Sequence, residues 1–159
     1  MKLYVISDTH GAIEKALKIY GTLDAIDLII HLGDVERDAR RISKITGKTV
    51  ISVQGNNESA SSQENFHVLE TEYGNLLLTH GHMDGVKAGL HGLLYRAQEL
   101  ECKAVLFGHT HIPLFTESRG IYFLNPGSLS IPMDGTAGSY AIVNTSKDDF
   151  SASIVYYEI

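Results

Sequence analysis

Cysteine is all but missing from this 159-residue sequence; Cys102 stands alone. A lone cysteine excludes a disulfide framework and a thiolate zinc cluster. Set between Glu101 and Lys103 beside a predicted strand, it reads as structural and not as a nucleophile. Positive charge is also in short supply. The formal net charge is −6, so the chain carries no electrostatic footprint for gripping nucleic acid or an anionic membrane. No apolar run approaches the length needed to span a bilayer. The N-terminus offers one lysine and then a strand in place of the apolar core of a signal peptide, which leads us to expect a cytoplasmic protein. Internal repeats and low-complexity segments are absent as well. What remains is an ordinary globular composition, 43% hydrophobic and 20% charged, in a length that suits a single domain spanning 1–159 with a sizeable core.

The first stretch, KLYVISDTHG, sets the theme. Leu3, Tyr4, Val5 and Ile6 form a short apolar, β-branched and aromatic run that reads as a buried strand. It delivers Asp8 and His10 at its carboxyl end, where functional groups of open α/β sheets gather. Two apart in an extended segment, the pair would point the same way and suit a divalent metal. An N-capping aspartate beside a surface histidine is an equal reading of this segment alone. A helix follows, with Ile13, Ala16, Leu17 and Tyr20 on one face.

The same grammar repeats downstream. A strand over 27–32 ends in Gly33-Asp34, with His31 inside it as a core histidine. The segment 36–46 reads as an amphipathic helix with Ala39, Ile42 and Ile45 inward, closed by Gly47. A strand over 48–53 ends in Gly55-Asn56-Asn57-Glu58, and 59–65 reads as a polar loop able to vary with substrate. A hairpin of strands 66–73 and 76–79 turns at Gly74-Asn75 and ends in His80-Gly81-His82. The segment 86–100 reads as the longest helix, with His91 facing solvent, and a strand over 104–107 ends in Gly108-His109-Thr110-His111. The tail holds four short strands, at 114–117, 121–124, 139–144 and 153–157, expected to pair as an antiparallel meander. Helix-alternating first and all-β last, the chain fits a two-sheet α/β (α+β) sandwich with helices outside.

Of eight histidines, His10, His80, His82, His109 and His111 directly follow predicted strands, a gathering that chance would not produce. With Asp8, Asp34 and Asn56 they make too many donors for one tetrahedral zinc. Shared between two ions with one carboxylate bridging, they give each ion about four ligands, and Asp34 is the natural bridge. Two ions roughly 3.5–4 Å apart can hold a bridging hydroxide and clamp the oxygens of an in-line displacement. Nitrogen and oxygen ligands without thiolate suit manganese, iron, cobalt, nickel or zinc better than calcium or magnesium, and affinity order alone does not choose among them; manganese is the ion we expect.

The ordered set D-x-H (Asp8, His10), G-D (Gly33, Asp34), G-N (Gly55, Asn56), H (His80) and G-H-x-H (Gly108, His109, His111) resembles the calcineurin-like metallophosphoesterase superfamily. The short length, the HGH at 80–82 and the NPGS at 125–128 are similar to its small, single-domain YfcE-like phosphodiesterase branch. The resemblance implies a four-layer α/β/β/α sandwich of two mixed β-sheets flanked by helices, and a di-metal phosphoesterase, in first place a phosphodiesterase. One ion would be held by Asp8, His10, Asp34 and His111, the other by Asp34, Asn56, His80 and His109. His82 matches no ligand position and is assigned either to a place behind the ligands or to the substrate side. Where many relatives place a leaving-group-protonating histidine, this chain has Asn57, which cannot act as an acid. Arg37 stands where the wider family tends to place an acid, Asp38 follows without an assigned role, and Glu58 is kept. The implied partner is a small phosphate ester, with no membrane, no nucleic acid beyond a small nucleotide, and room for a homo-oligomer. The competing readings are a retromer-type binding scaffold on the same fold, a phosphomonoesterase and a phosphoprotein phosphatase; retention of every ligand position favours the enzyme, and the chain has no evident capping domain to build a phosphoprotein groove.

Overall fold

Alternation along the first strand decides which way the chain can be covered. In the computed structural model, which describes residues 1–33, 36–55 and 65–158, Lys2–Ile6 forms β1. Leu3 and Val5 point to one side, into a cluster with Ile30, Leu76, Leu78, Leu106 and Val143. Tyr4 and Ile6 point to the other, onto Ala16, Ile19 and Ile42 of two helices. A strand apolar on both faces must be buried on both, and that requirement places β1 mid-sheet. It lies between β2 (Leu28–His31), its parallel partner, and β9 (Ser139–Thr145), which runs antiparallel to it. With β3 (Val50–Ser52) and β10 (Phe150–Tyr156) the first sheet reads β10-β9-β1-β2-β3.

The second sheet is built on the same rule. Leu76 and Leu78 of β5 (Asn75–Thr79) face the first sheet, while Leu77 faces helix α3 with Val105 and Phe123. Its order is β4-β5-β6-β8-β7, with β4 Phe66–Glu70, β6 Cys102–Leu106, β7 Leu114–Ser118 and β8 Ile121–Asn125. Helices α1 (Glu14–Tyr20) and α2 (Glu36–Thr46) cover the first sheet, and α3 (His91–Glu99) the second. Three apolar clusters therefore fill three interfaces, and the four-layer α/β/β/α arrangement stands, with parallel and antiparallel pairs in both sheets. Both sheets aim the carboxyl ends of β1, β5 and β6 at one rim.

Four expectations need correction. The tail strands do not form one meander: β7 and β8 close the second sheet, and β9 and β10 close the first. The doubly buried strands β8 and β9 are claimed by β6 and β1, which leaves each hairpin to cap a different sheet. Helix α3 starts at His91 and is shorter than α2. Gly85 and Gly89, at φ +63° and +147°, interrupt the right-handed path before it, and Asp84 in the preceding turn is tied to α3 by Arg96 Nη1 at 3.0 and 3.2 Å. The strand before the G-N motif is confined to Val50–Ser52, and residues 59–64 of the polar loop lie outside the described residues.

On α2, Ile45 is 60% exposed and does not face inward; Asp38, Ala39 and Ile42 do. Ile42→Ala is expected to cost about 2–5 kcal/mol in denaturant unfolding and Ile45→Ala less than about 0.5 kcal/mol. Equal costs would put the helix in the wrong rotation.

Candidate metal centre

Short polar residues follow each strand at this rim, and the backbone there leaves the extended region. Asp8, His10, His109 and His111 all adopt left-handed conformations, with φ of 55°, 48°, 70° and 61°. Asp8 and His10 thus converge because the backbone curls at both positions, not because a strand alternates. The same curl in His109-Thr110-His111 turns two neighbouring imidazoles in different directions. Left-handed non-glycine residues cost about 1–2 kcal/mol each and collect where function over-determines the backbone.

The side chains meet in two groups. His111 Nε2 lies 3.2 Å from Asp8 Oδ1 and 3.4 Å from His10 Nε2, and the ligand atoms of this trio all fall within 4.8 Å of one another. His109 Nδ1 lies 3.2 Å from His80 Nε2, which is 3.6 Å from Asp8 Oδ1. The buried Asp8 carboxylate stands between the two groups. Asp34, Asn56, Asn57 and Glu58 lie outside the described residues.

Hydrogen bonds behind the ligands fix which atoms face inward. His80 Nδ1–H donates to Leu32 O and His111 Nδ1–H to Ile131 O, both at 2.7 Å, so each turns Nε2 toward the centre. Metal-bound histidines are oriented in this way. Asp8 Oδ2 accepts from Ser7 Oγ at 2.5 Å and from the His109 N–H at 3.0 Å, leaving Oδ1 for the interior. Burial pushes the Asp8 carboxyl up, but the His111 contact, the charge of His80 and the Ser7 hydroxyl outweigh it and hold it at about 2. Burial, with His80 and Lys87 adding to it, lowers His109 to about 4, so it is neutral and able to ligate at physiological pH. Inward-facing nitrogens beside an ionised carboxylate oxygen, with no thiolate, form a donor set that fits divalent cations of the transition series.

Two glycines make the approach possible. Gly33, at φ +98°, packs so closely that a Cβ would lie 2.9 Å from His80 Nδ1. At Gly108 a Cβ would lie 2.1 Å from Ser7 Oγ and 2.8 Å from Asp8 Oδ2. The rims of the two sheets touch only because this position has no side chain.

Two supporting networks were not assigned from sequence. Asn125 and Ser128 of the NPGS segment, both fully buried, clasp the ligand loops. Asn125 Nδ2 donates to Gly108 O at 3.1 Å and Thr110 Oγ1 at 2.9 Å, and Ser128 Oγ donates to Asp8 O at 2.8 Å. The motif itself was visible; its partners were not. The second network centres on Asp38, also fully buried. The Gly33 N–H donates to His31 Nδ1 at 3.2 Å, which places the histidine proton on Nε2, 2.9 Å from Thr9 Oγ1. Thr9 in turn donates to Asp38 Oδ2 at 2.5 Å, and Gly11 N–H donates to the same oxygen at 2.7 Å. Asp38 therefore holds the loop between Asp8 and His10 from behind. Its sequence signal was one acid offset by a residue from a family position.

His31 is the core histidine expected, with burial lowering it to about 4. His91 is exposed, and Cys102 is buried, its thiol raised by that burial. His82 is half-buried beside the second group, its ring 5.3 Å from His80 and 6.1 Å from His109. Its Nδ1 has no partner among the described residues, and burial lowers its pKa.

With this rim in view, the comparisons with known proteins are specific. Residues 1–148 match the calcineurin-like phosphoesterase superfamily domain. The chain is 34% identical over 159 residues to the probable metallophosphoesterase YsnB of Bacillus subtilis, covering 99% of this chain and 91% of that protein. It is 32% identical over 171 residues to the phosphodiesterase YfcE of Escherichia coli K12, covering 91% and 88%. A crystal structure of a predicted phosphoesterase from Streptococcus pneumoniae superposes with a TM-score of 0.83 at 27% identity, covering 98% of this chain and 88% of that one. The chain belongs to the calcineurin-like phosphoesterase superfamily. This is a family of divalent-metal hydrolases, and its YfcE-type phosphodiesterases are among the relatives of this chain.

Two outcomes are expected. Gly108→Ala should weaken divalent-metal binding by about tenfold or more, with the circular dichroism spectrum retained; unchanged affinity would show that the two rims need no such contact. His31 has a folded pKa of about 4 against an ordinary value of 6.5. Between these values the unfolded chain binds the proton and the folded one does not, so stability is lost as pH falls through that window. The melting temperature of metal-free protein should therefore drop less between pH 7 and pH 4 in His31→Gln than in the wild type; parallel curves would contradict this.

Proposed function

We propose that this protein hydrolyses phosphate esters, phosphodiesters foremost, at a centre of two divalent metal ions, manganese foremost. The observation that carries the reading is the convergence of Asp8, His10 and His111 in one group and of His80 and His109 in another, from both sheets, with inward nitrogens fixed by backbone carbonyls. On this reading Asp8, His10 and His111 hold one ion with Asp34, and His80 and His109 hold the other with Asn56 and the shared Asp34. Bound ions of this kind supply Lewis acidity toward phosphoryl oxygens and bring a water within reach of ionisation near neutral pH.

The chain's own residues do the rest. Asp8 presents one oxygen between the groups while Ser7 and the His109 N–H hold the other. His82 faces the substrate side. Asn57 supplies no proton, so the leaving oxygen departs without a general acid at that position. The reading takes a small phosphate ester as partner and the cytoplasm as the setting; among the described residues no helix is long and apolar enough to cross a membrane.

The test is a series of phosphodiesters with leaving groups of graded pKa, assayed with manganese. Nitrophenyl esters should be turned over far better than alkyl esters, giving a steep dependence of kcat/KM on leaving-group pKa. Asn57→His should raise the poor leaving groups by about 10²–10⁴-fold and the good ones much less. Asp8→Asn and His111→Ala should each lose bound metal and most of the activity. A wild-type protein that binds two metal equivalents yet hydrolyses none of the series would point to the scaffold instead.

A further inference from the structure

The cleft beside the centre is lined in part by residues the reaction itself does not call for. It has a volume of about 440 Å³ and is bounded by His109, Thr110 and His111 on one side and by Lys87, Ile112 and Met133 on the others. Ile112 is 47% exposed and Met133 62% exposed, so two large apolar side chains stand in water within reach of the metal-binding imidazoles. Isolated apolar residues on a surface need no explanation, but an apolar pair walling a cleft that opens on a reactive centre does.

Both are held in place. Thr110 Oγ1 accepts the Ile112 N–H at 3.2 Å and donates to Ile112 O at 3.3 Å, and the same hydroxyl is gripped by Asn125. Met133 N–H donates to His111 O at 3.1 Å, one turn of chain after Ile131 O has taken the His111 Nδ1 proton. The backbone behind both apolar walls is thus anchored to the loop that carries His109 and His111. Among the described lining residues, the one polar side chain outside the imidazoles and Lys87 is Thr110, whose hydroxyl is already engaged. Such a cleft offers little to the hydrogen-bonding edges of a nucleobase or sugar and much to an aryl or alkyl group. Lys87 forms no salt bridge among the described residues, and it stands at this rim in a chain of net charge −6, a local cation for the charge of a phosphate.

Resting on the phosphoesterase reading, we infer that this cleft seats an apolar arm of the substrate, an aryl or branched alkyl group esterified to the phosphate, with Lys87 beside the phosphoryl oxygens and Ile112 and Met133 against the arm. The substrate class is then an apolar phosphate ester.

The test needs no turnover. Manganese-loaded protein is titrated calorimetrically with phenylphosphonate and with methylphosphonate, which share a charged head and differ only in the arm. Phenylphosphonate should bind about tenfold more tightly. Ile112→Ser and Met133→Ser should each bring that ratio down to about threefold or less, while Lys87→Gln should weaken both ligands in parallel and leave the ratio standing. Equal affinities in the wild type, or a ratio unmoved by both serine substitutions, would overturn the inference. Discrimination between the phosphonates in a protein that cleaves no ester would break the catalytic reading and leave the apolar cleft in place. Ester hydrolysis without discrimination would do the reverse.

Discussion

The contact between Asp8 and the Gly108-His109 backbone is what the rest of the site depends on. The carboxylate sits at the end of the first sheet's central parallel pair, and the N–H it accepts comes from the end of a strand in the second sheet. Ser7 holds the same oxygen, so one carboxylate joins the two rims while keeping its other oxygen for the interior. The absence of a side chain at position 108 is the steric condition for this contact, and the NPGS clasp is its reinforcement. Remove the contact and Asp8 and His10, which follow a strand of the first sheet, part from His80, His109 and His111, which follow strands of the second.

This arrangement is costly, and the cost is met nearby. Four candidate ligand positions sit in left-handed backbone, and an ionised carboxylate is buried among imidazoles. Against that stand the relay from His31 through Thr9 to Asp38 and the backbone carbonyls of Leu32 and Ile131. Each of these spends a buried polar group on fixing a loop and not on packing a core. A buried polar network that is satisfied makes a site rigid, and one that is broken is expensive.

Much of this was legible in the sequence. Short apolar runs at β1 and β5, helical periodicity between strands and the glycine-polar clusters after each strand are local signals, and they pointed to the two sheets, the outer helices and the rim on which Asp8, His10, His80, His109 and His111 gather. What local signals could not give was anything set by a partner far away in the chain. The tail hairpins went to different sheets because β6 and β1 competed for them. Ile45, in the last turn of α2, is exposed although it lies on the face of Asp38 and Ile42, and Asp38, left without a role, is drawn inward by Thr9 and Gly11. Gly85 and Gly89 shortened α3 where an apolar stripe alone suggested a longer helix. The convergence of Asp8 and His10 was anticipated for the wrong reason, since left-handed φ values, and not strand alternation, bring them together.

The most direct test of the account is anomalous diffraction at the manganese edge from crystals of the manganese-loaded protein. The account predicts two peaks, one among Asp8, His10 and His111 and a second beside His80 and His109, with Asp34 reaching both. A single peak, or one ion bound by His109 and His111 together, would contradict it.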